Sequence, residues 1–255
     1  MTLDATEDLT HDDFLGGKIA IWQPRRGYRA GVDPVLLAAS VPAKAGQSVL
    51  ELGCGVGTAS LCLAARVPDL QVTGVEMQQA YAILAKRNAQ ENTLPLTVVI
   101  ADLCALPAPV RQERFDHVIM NPPYFDRSEG TASDDIGKDV AFAGETPLRT
   151  WLDIGARRVG PRGYLTLIQR MERLPEVLDA LAGRLGAVIV RPIAGRAGRA
   201  PELFLLQARQ EGKTPFRMAP TLVMHSGETH IGDQESYTPE VTRVLRSGAD
   251  LHIWH

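Results

Sequence analysis

Cysteine is scarce in this chain, and the little present is not patterned. Cys54, Cys62 and Cys104 are the only three in 255 residues. An odd count without C-x-x-C or Cys/His spacing argues against a disulfide framework or a zinc site. His11, His117, His225, His230, His252 and His255 show no metal-ligand spacing either, so no metal is expected. Long apolar runs are absent. Nothing approaches the roughly 20 residues that span a bilayer, so no membrane partner is expected. A basic start is also missing. Met1 to Asp13 holds five acidic residues and no Lys or Arg, unlike a secretory signal. A cytoplasmic location follows. The segment 1–17 reads as an acidic extension, with 18–255 as a single domain. There is no internal repeat and no low-complexity tract.

A net charge of −3 excludes a general basic coat. Charge is uneven, however. Lys18, Arg25, Arg26 and Arg29 form one run without an intervening acid. Arg184 to Arg217 holds seven basic residues, Arg196 and Arg199 among them, against Glu202 and Glu211. Such runs are either local phosphate footprints or solvated surface in an Arg-rich chain.

Hydrophobic residues make up 45% and charged residues 22%, which suits a full globular core. Short apolar stretches alternate with helical patterns. Strands are expected at 48–52, 71–75, 96–100, 115–120, 164–168, 187–190 and 203–208. Helices are expected at 58–66, 78–91, 147–159 and 174–185, with a short one at 35–39. This is an α/β chain with a mostly parallel, seven-stranded, Rossmann-like sheet flanked by helices. Such sheets bind ligands beyond the carboxyl ends of their strands. The polar stretch 128–145 reads as a mobile loop beside that edge.

The first strand of the alternating series runs into Glu51-Leu-Gly53-Cys-Gly55-Val-Gly57. Glycine at alternate positions allows a sharp turn and close approach of a ligand to backbone. The second strand ends at Glu76-Met77, where a carboxylate can accept from two ribose hydroxyls. The third ends at Asp102-Leu103. The steps from Glu51 to Glu76 and from Glu76 to Asp102 are 25 and 26 residues, one strand–helix unit each. The glycine segment resembles motif I of class I methyltransferases. That resemblance implies S-adenosylmethionine as cofactor, with the adenine amino group on Asp102, its ring against Leu103, and Met77 among the cofactor-binding residues. A nicotinamide-dinucleotide site would also use Glu76, but leaves the fourth strand unexplained.

The fourth strand ends in Asn121-Pro122-Pro123-Tyr124, followed by Phe125. Two prolines make a rigid segment rich in acceptors and poor in donors. A planar amino or amide nitrogen presents two N–H donors and is a weak nucleophile. The Asn121 side-chain oxygen and the Pro122 carbonyl can accept both, holding that nitrogen towards the methyl donor. Tyr124, with Pro123 and Phe125 beside it, can stack on a planar target. A base within a nucleic acid must first leave its stack. Asp33, before the apolar 35–39, has two readings: a helix N-cap with Pro34 at the first position, or a lid over the cofactor's methionine end.

Over residues 30 to 240 the chain resembles the bacterial tRNA(Val) adenine-N6 methyltransferase family. The blocks are Arg29-Ala-Gly-Val-Asp33 through Ala39, the glycine segment, Asn121 to Phe125, and Arg170-Met-Glu-Arg-Leu174. Gly195-Arg196-Ala-Gly-Arg199, Ala219 to His225, and Tyr237-Thr-Pro-Glu240 complete the set. The chain departs from the family at Ala141-Phe-Ala-Gly-Glu145, where members often carry a His before the Glu. The resemblance implies an enzyme that methylates an adenine N6-amino group in tRNA, with an RNA partner. N-P-P-Y also occurs in protein glutamine-amide and ribosomal RNA guanine-N2 methyltransferases, which remain alternatives. The alternative outside enzymes is a cofactor-binding RNA module, against which Asn121 and Tyr124 both speak.

Overall fold

The computed structural model describes residues 8–124, 146–227 and 236–251. Phe125, the expected loop at 128–145, and His230, His252 and His255 lie outside the described residues.

A hairpin of β1 (Leu9–Phe14) and β2 (Ile19–Pro24) leads into α1 (Asp33–Ser40). Then follow β3 (Ser48–Leu52), α2 (Thr58–Arg66), β4 (Gln71–Glu76), α3 (Gln79–Glu91), β5 (Thr97–Ile100), α4 (Ala108–Gln112) and β6 (Phe115–Met120). The second half holds α5 (Leu148–Arg158), β7 (Val159–Arg170), α6 (Leu174–Leu181), β8 (Gly186–Arg196) and β9 (Leu203–Arg209). It closes with β10 (Arg217–Met218), β11 (Leu222–His225) and α7 (Pro239–Ser247).

The central sheet runs β5-β4-β3-β6-β7-β9-β8, with β10 and β11 both pairing the outer edge of β8. Only β9 is antiparallel to its neighbours. All seven expected strands are therefore present, and two short ones extend the sheet. Expected strand 187–190 is longer than anticipated, because Pro192 does not end β8. It falls in the gap between the β10 pairing, which stops at Val190, and the β11 pairing, which starts at Ile193. A missing N–H is tolerated at such an interruption.

Residues 9–14, within the stretch 1–17 expected as an acidic extension, form the first strand of the hairpin, paired along their whole length with β2. The turn is made by Gly16 and Gly17 at φ +68° and +85°. The hairpin is tied to α3 by two asparagines one helical turn apart. Asn92 exchanges hydrogen bonds with the Ala20 backbone at 2.9 and 2.7 Å. Asn88 does the same with Trp22 at 2.8 and 3.0 Å, and also donates to the Val56 carbonyl at 3.0 Å. These amides do for β2 what a further strand would do.

Alternation along the strands divides the core between two faces. Val49, Ile119 and Ile168 pack under α1 and α2, whereas Leu50, Leu52, Val118 and Met120 pack under α5 and α6. The sheet order places a switch point between β3 and β6. The chain proceeds outward from β3 to β4 and β5 on one side, and through β6 to β7 on the other. Ligand crevices form at this point, beyond the carboxyl ends. Leu52 and Met120 are register partners, so the glycine turn and the N-P-P-Y segment leave the sheet side by side.

Candidate active site

The glycine turn is shaped by steric demand. Gly53, Gly55 and Gly57 all have positive φ, at +66°, +53° and +87°. A Cβ on Gly53 would strike the Trp151 ring. One on Gly55 would stand in an open cavity, 3.7 Å from Tyr28 Cε1. Glu51, at the end of β3, accepts from the Ser60 backbone N–H at 3.0 Å and from its hydroxyl. Burial pushes its carboxyl up to about 8, against the lowering effect of Ser60 and with a small further rise from Glu76. Glu76, at the end of β4, accepts from the backbone N–H groups of Gly55 at 2.9 Å and Gln78 at 2.8 Å. Burial raises its pKa, and those amides partly offset the rise. Glu76 thus buttresses the glycine turn from the neighbouring strand.

Asn121, Pro122, Pro123 and Tyr124 line the same cavity as Glu51, Gly53, Gly55 and Glu76. Its volume is about 450 Å³, which falls in the range of small-molecule sites. Gly27 to Gly31, with Asp33 and Pro34, form a further wall of the cavity, and Trp151 also lines it. The Tyr28 backbone N–H donates to the Tyr81 hydroxyl at 3.2 Å, which fixes this wall to α3. Asp33 does not cap α1 with its side chain. Its carboxylate accepts from the Tyr124 hydroxyl at 2.6 Å instead. Burial raises the Asp33 pKa and the Tyr124 bond opposes this; burial, then Asp33, hold the Tyr124 hydroxyl far above its ordinary range. Gln169 donates from Nε2 to the Pro122 carbonyl at 3.4 Å.

Other expected residues lie outside this lining. Gly57 packs behind the turn, where a Cβ would meet Leu96 at 2.9 Å. Met77 is 52% exposed, one residue past β4. The Asp102 carboxylate accepts from the Cys104 backbone N–H at 2.8 Å, and Leu103 is buried beside it. The Arg196 guanidinium donates to the carbonyls of Ser226 at 2.6 Å and Gly227 at 3.0 Å. Arg199 is exposed in the turn after β8. Since β8 runs parallel to β6, both arginines sit at the sheet edge that carries the cavity. Tyr28, Tyr81, Trp151 and Gln169 carry no signal in the sequence that points to a site. Tyr28 lies within a run notable only for its charge, and the other three come from elements whose local sequence carries no motif.

Residues 30–148 match the family model of the methyltransferase small domain. The tRNA1(Val) (adenine(37)-N6)-methyltransferase of Tolumonas auensis is 30% identical over 201 residues, covering 76% of this chain and 81% of that protein. The chain belongs to the tRNA1(Val) (adenine(37)-N6)-methyltransferase family. The Porphyromonas gingivalis protein of the same name is 29% identical over 251 residues, covering 91% of this chain and 93% of its own. Among solved structures, a predicted O-methyltransferase from Agrobacterium tumefaciens superposes with a TM-score of 0.68 at 25% identity. It covers 86% of this chain and 98% of its own. A T. thermophilus 16S rRNA N2 methyltransferase in complex with AdoMet and guanosine shares the fold. Its TM-score is 0.56 at 22% identity, over 82% of this chain and 52% of that one.

This family member is an enzyme, an S-adenosylmethionine-dependent methyltransferase. Its cavity suits that cofactor. The donor carries a sulfonium and an ammonium, and Asp33, Glu51 and Glu76 all line the space. Gly55 leaves open the volume that a side chain would fill. Among the described residues no cluster of His, Cys, Asp or Glu could hold a metal, and no helix is long and apolar enough to cross a membrane.

Proposed function

We propose that this protein methylates the N6-amino group of adenine 37 in a tRNA, acting in the cytoplasm. The observation that carries the reading is the meeting of two segments in one cavity: the glycine turn after β3, and N-P-P-Y after the adjacent β6. The names of the family's relatives supply the adenine and the tRNA.

S-adenosylmethionine supplies an electrophilic methyl group on a sulfonium centre. In this reading Glu76 accepts from the ribose hydroxyls, with Asp102, Leu103 and Met77 at the adenine end. Asp33 and Glu51 face the methionine end, and Gly53, Gly55 and Gly57 let the backbone turn close beneath it. The Asn121 side-chain oxygen and the Pro122 carbonyl accept the two N–H bonds of the target amine. They favour the pyramidal, increasingly positive nitrogen that develops as the methyl arrives. No strong base is required before transfer: as the N–CH3 bond forms and the S–CH3 bond breaks, the donor would leave as a neutral thioether, and the now cationic nitrogen would shed its proton to solvent. Tyr124 and Pro123 flank the base after it leaves its stack, which costs least in an RNA loop. Arg196 and Arg199 meet phosphates along the same edge.

Total tRNA from cells lacking the gene, incubated with the enzyme and tritiated cofactor, should take up label recovered as N6-methyladenosine. Cell protein should not. Label in protein alone would overturn the reading in favour of glutamine methylation. Label on guanine would keep the site and change the base.

A further inference from the structure

The N-P-P-Y segment raises a problem that the backbone cannot solve by itself. The β6–β7 ladder runs as far as the Met120–Leu167 pair. Beyond it come two prolines without N–H groups, so regular pairing cannot continue through them. The Pro122 carbonyl is nevertheless the atom whose direction matters, since it is one of two acceptors read as holding the target amine.

Gln169 lies on β7 just past that last pair, and it is completely buried. A buried primary amide is costly unless both its ends are satisfied. Nε2 donates to the Pro122 carbonyl at 3.4 Å, and Oε1 accepts from the Arg170 backbone N–H at 2.9 Å. The side chain is therefore held at one end by its own strand and at the other by the N-P-P-Y segment. We propose that Gln169 is a positioning residue for methyl transfer, holding the Pro122 carbonyl on line with the target amine in place of the missing backbone ladder. This rests on the reading of Pro122 as an amine acceptor.

A carbonyl oxygen has two lone pairs, so donation from Gln169 leaves one for the target. The role depends on a donor at this point, and not on volume or polarity alone. Gln169→Glu separates these. The substituted carboxyl has nearly the same shape, donates when protonated, and faces the Pro122 oxygen with like charge when ionised. Burial raises carboxyl pKa values, so this group should titrate within the working range of the enzyme.

The test measures single-turnover methyl transfer to undermethylated tRNA from pH 5.5 to 9 for wild type, Gln169→Glu, Gln169→Leu and Asn121→Ala. Cofactor affinity by calorimetry serves as the check of folding. Gln169→Glu should approach the wild-type rate at the acid end and fall at least tenfold below it at the alkaline end. Gln169→Leu, where folded, should be at least tenfold slow throughout, with cofactor affinity within twofold of wild type. A Gln169→Glu profile parallel to that of wild type overturns the inference, whether or not Gln169→Leu folds. If Asn121→Ala also transfers at the wild-type rate, the reading of N-P-P-Y itself fails. If Asn121→Ala is slow while both Gln169 variants behave as wild type, only the role of Gln169 fails.

Discussion

The Tyr124 hydroxyl donates to the Asp33 carboxylate at 2.6 Å, joining two residues 91 positions apart. One closes the N-P-P-Y segment and the other begins α1, and both line the cavity. Tyr124→Phe keeps the aromatic face and removes this bond. The bond lowers the Asp33 pKa against the raising effect of burial. Without it Asp33 takes up a proton at higher pH and, in the proposed site, loses its attraction for the cofactor's ammonium. Cofactor affinity of the variant should therefore match wild type more closely at pH 8 than at pH 6. Calorimetry showing the same ratio at both values would separate Asp33 from cofactor binding.

Glu51→Gln should flatten the pH dependence of stability. The folded-state pKa of Glu51 is raised to about 8 from an ordinary 4.5, chiefly by burial. Folding therefore favours the protonated form. Its contribution is complete below about 4.5 and is lost as pH rises towards 8, by on the order of a few kcal/mol. Glutamine keeps an acceptor for Ser60 and cannot ionise. Denaturant unfolding without cofactor at pH 5 and pH 8 should show a smaller loss in the variant than in wild type.

Glu76→Ala should weaken S-adenosylmethionine binding at least tenfold. In the proposed site two charge-assisted hydrogen bonds to ribose disappear, each worth about 1.5–3 kcal/mol. The substitution also frees the Gly55 and Gln78 amides that Glu76 now satisfies. Unchanged affinity in calorimetry would remove Glu76 from the cofactor site.

Gly53→Ala and Gly17→Ala separate backbone strain from collision. Both glycines have positive φ, but a Cβ on Gly17 meets nothing within 4 Å, whereas one on Gly53 strikes Trp151. Strain at such φ costs about 1–3 kcal/mol, and overpacking adds about as much again. Gly53→Ala should thus be the more destabilising of the two in urea melts and should also lose cofactor binding. Equal losses would mean that Trp151 does not rest on the turn.

The two late-loop arginines should differ. Arg196 spends its guanidinium on two backbone carbonyls, and Arg199 is exposed. Arg199→Glu should weaken tRNA binding and leave the melting temperature unchanged. It should also flatten the salt dependence by roughly 0.7–0.9 for each phosphate no longer neutralised. Arg196→Glu should lower the melting temperature as well. Filter binding across a salt series, with parallel melts, distinguishes the two effects.

The strand–helix alternation, the glycine turn, the acids at strand ends and N-P-P-Y are legible in the sequence because each is local. Periodicity reports burial within one element, and a motif needs only its own neighbours. The hairpin is not legible. Its strands mix polar and apolar residues, and β2 is held partly by Asn88 of α3 and by Asn92 at that helix's C-terminal cap, about 70 positions later. Nor can spacing say what Asp33 does, since an N-cap and a tyrosine acceptor look the same in one dimension. The order of strands decided that Gly53 lies beside Asn121, that Trp151 covers the turn, and that the buried amide of Gln169 reaches the Pro122 carbonyl. Those interactions join elements distant in sequence. They depend on register and on sheet order, set when the whole core packs and not by any one segment.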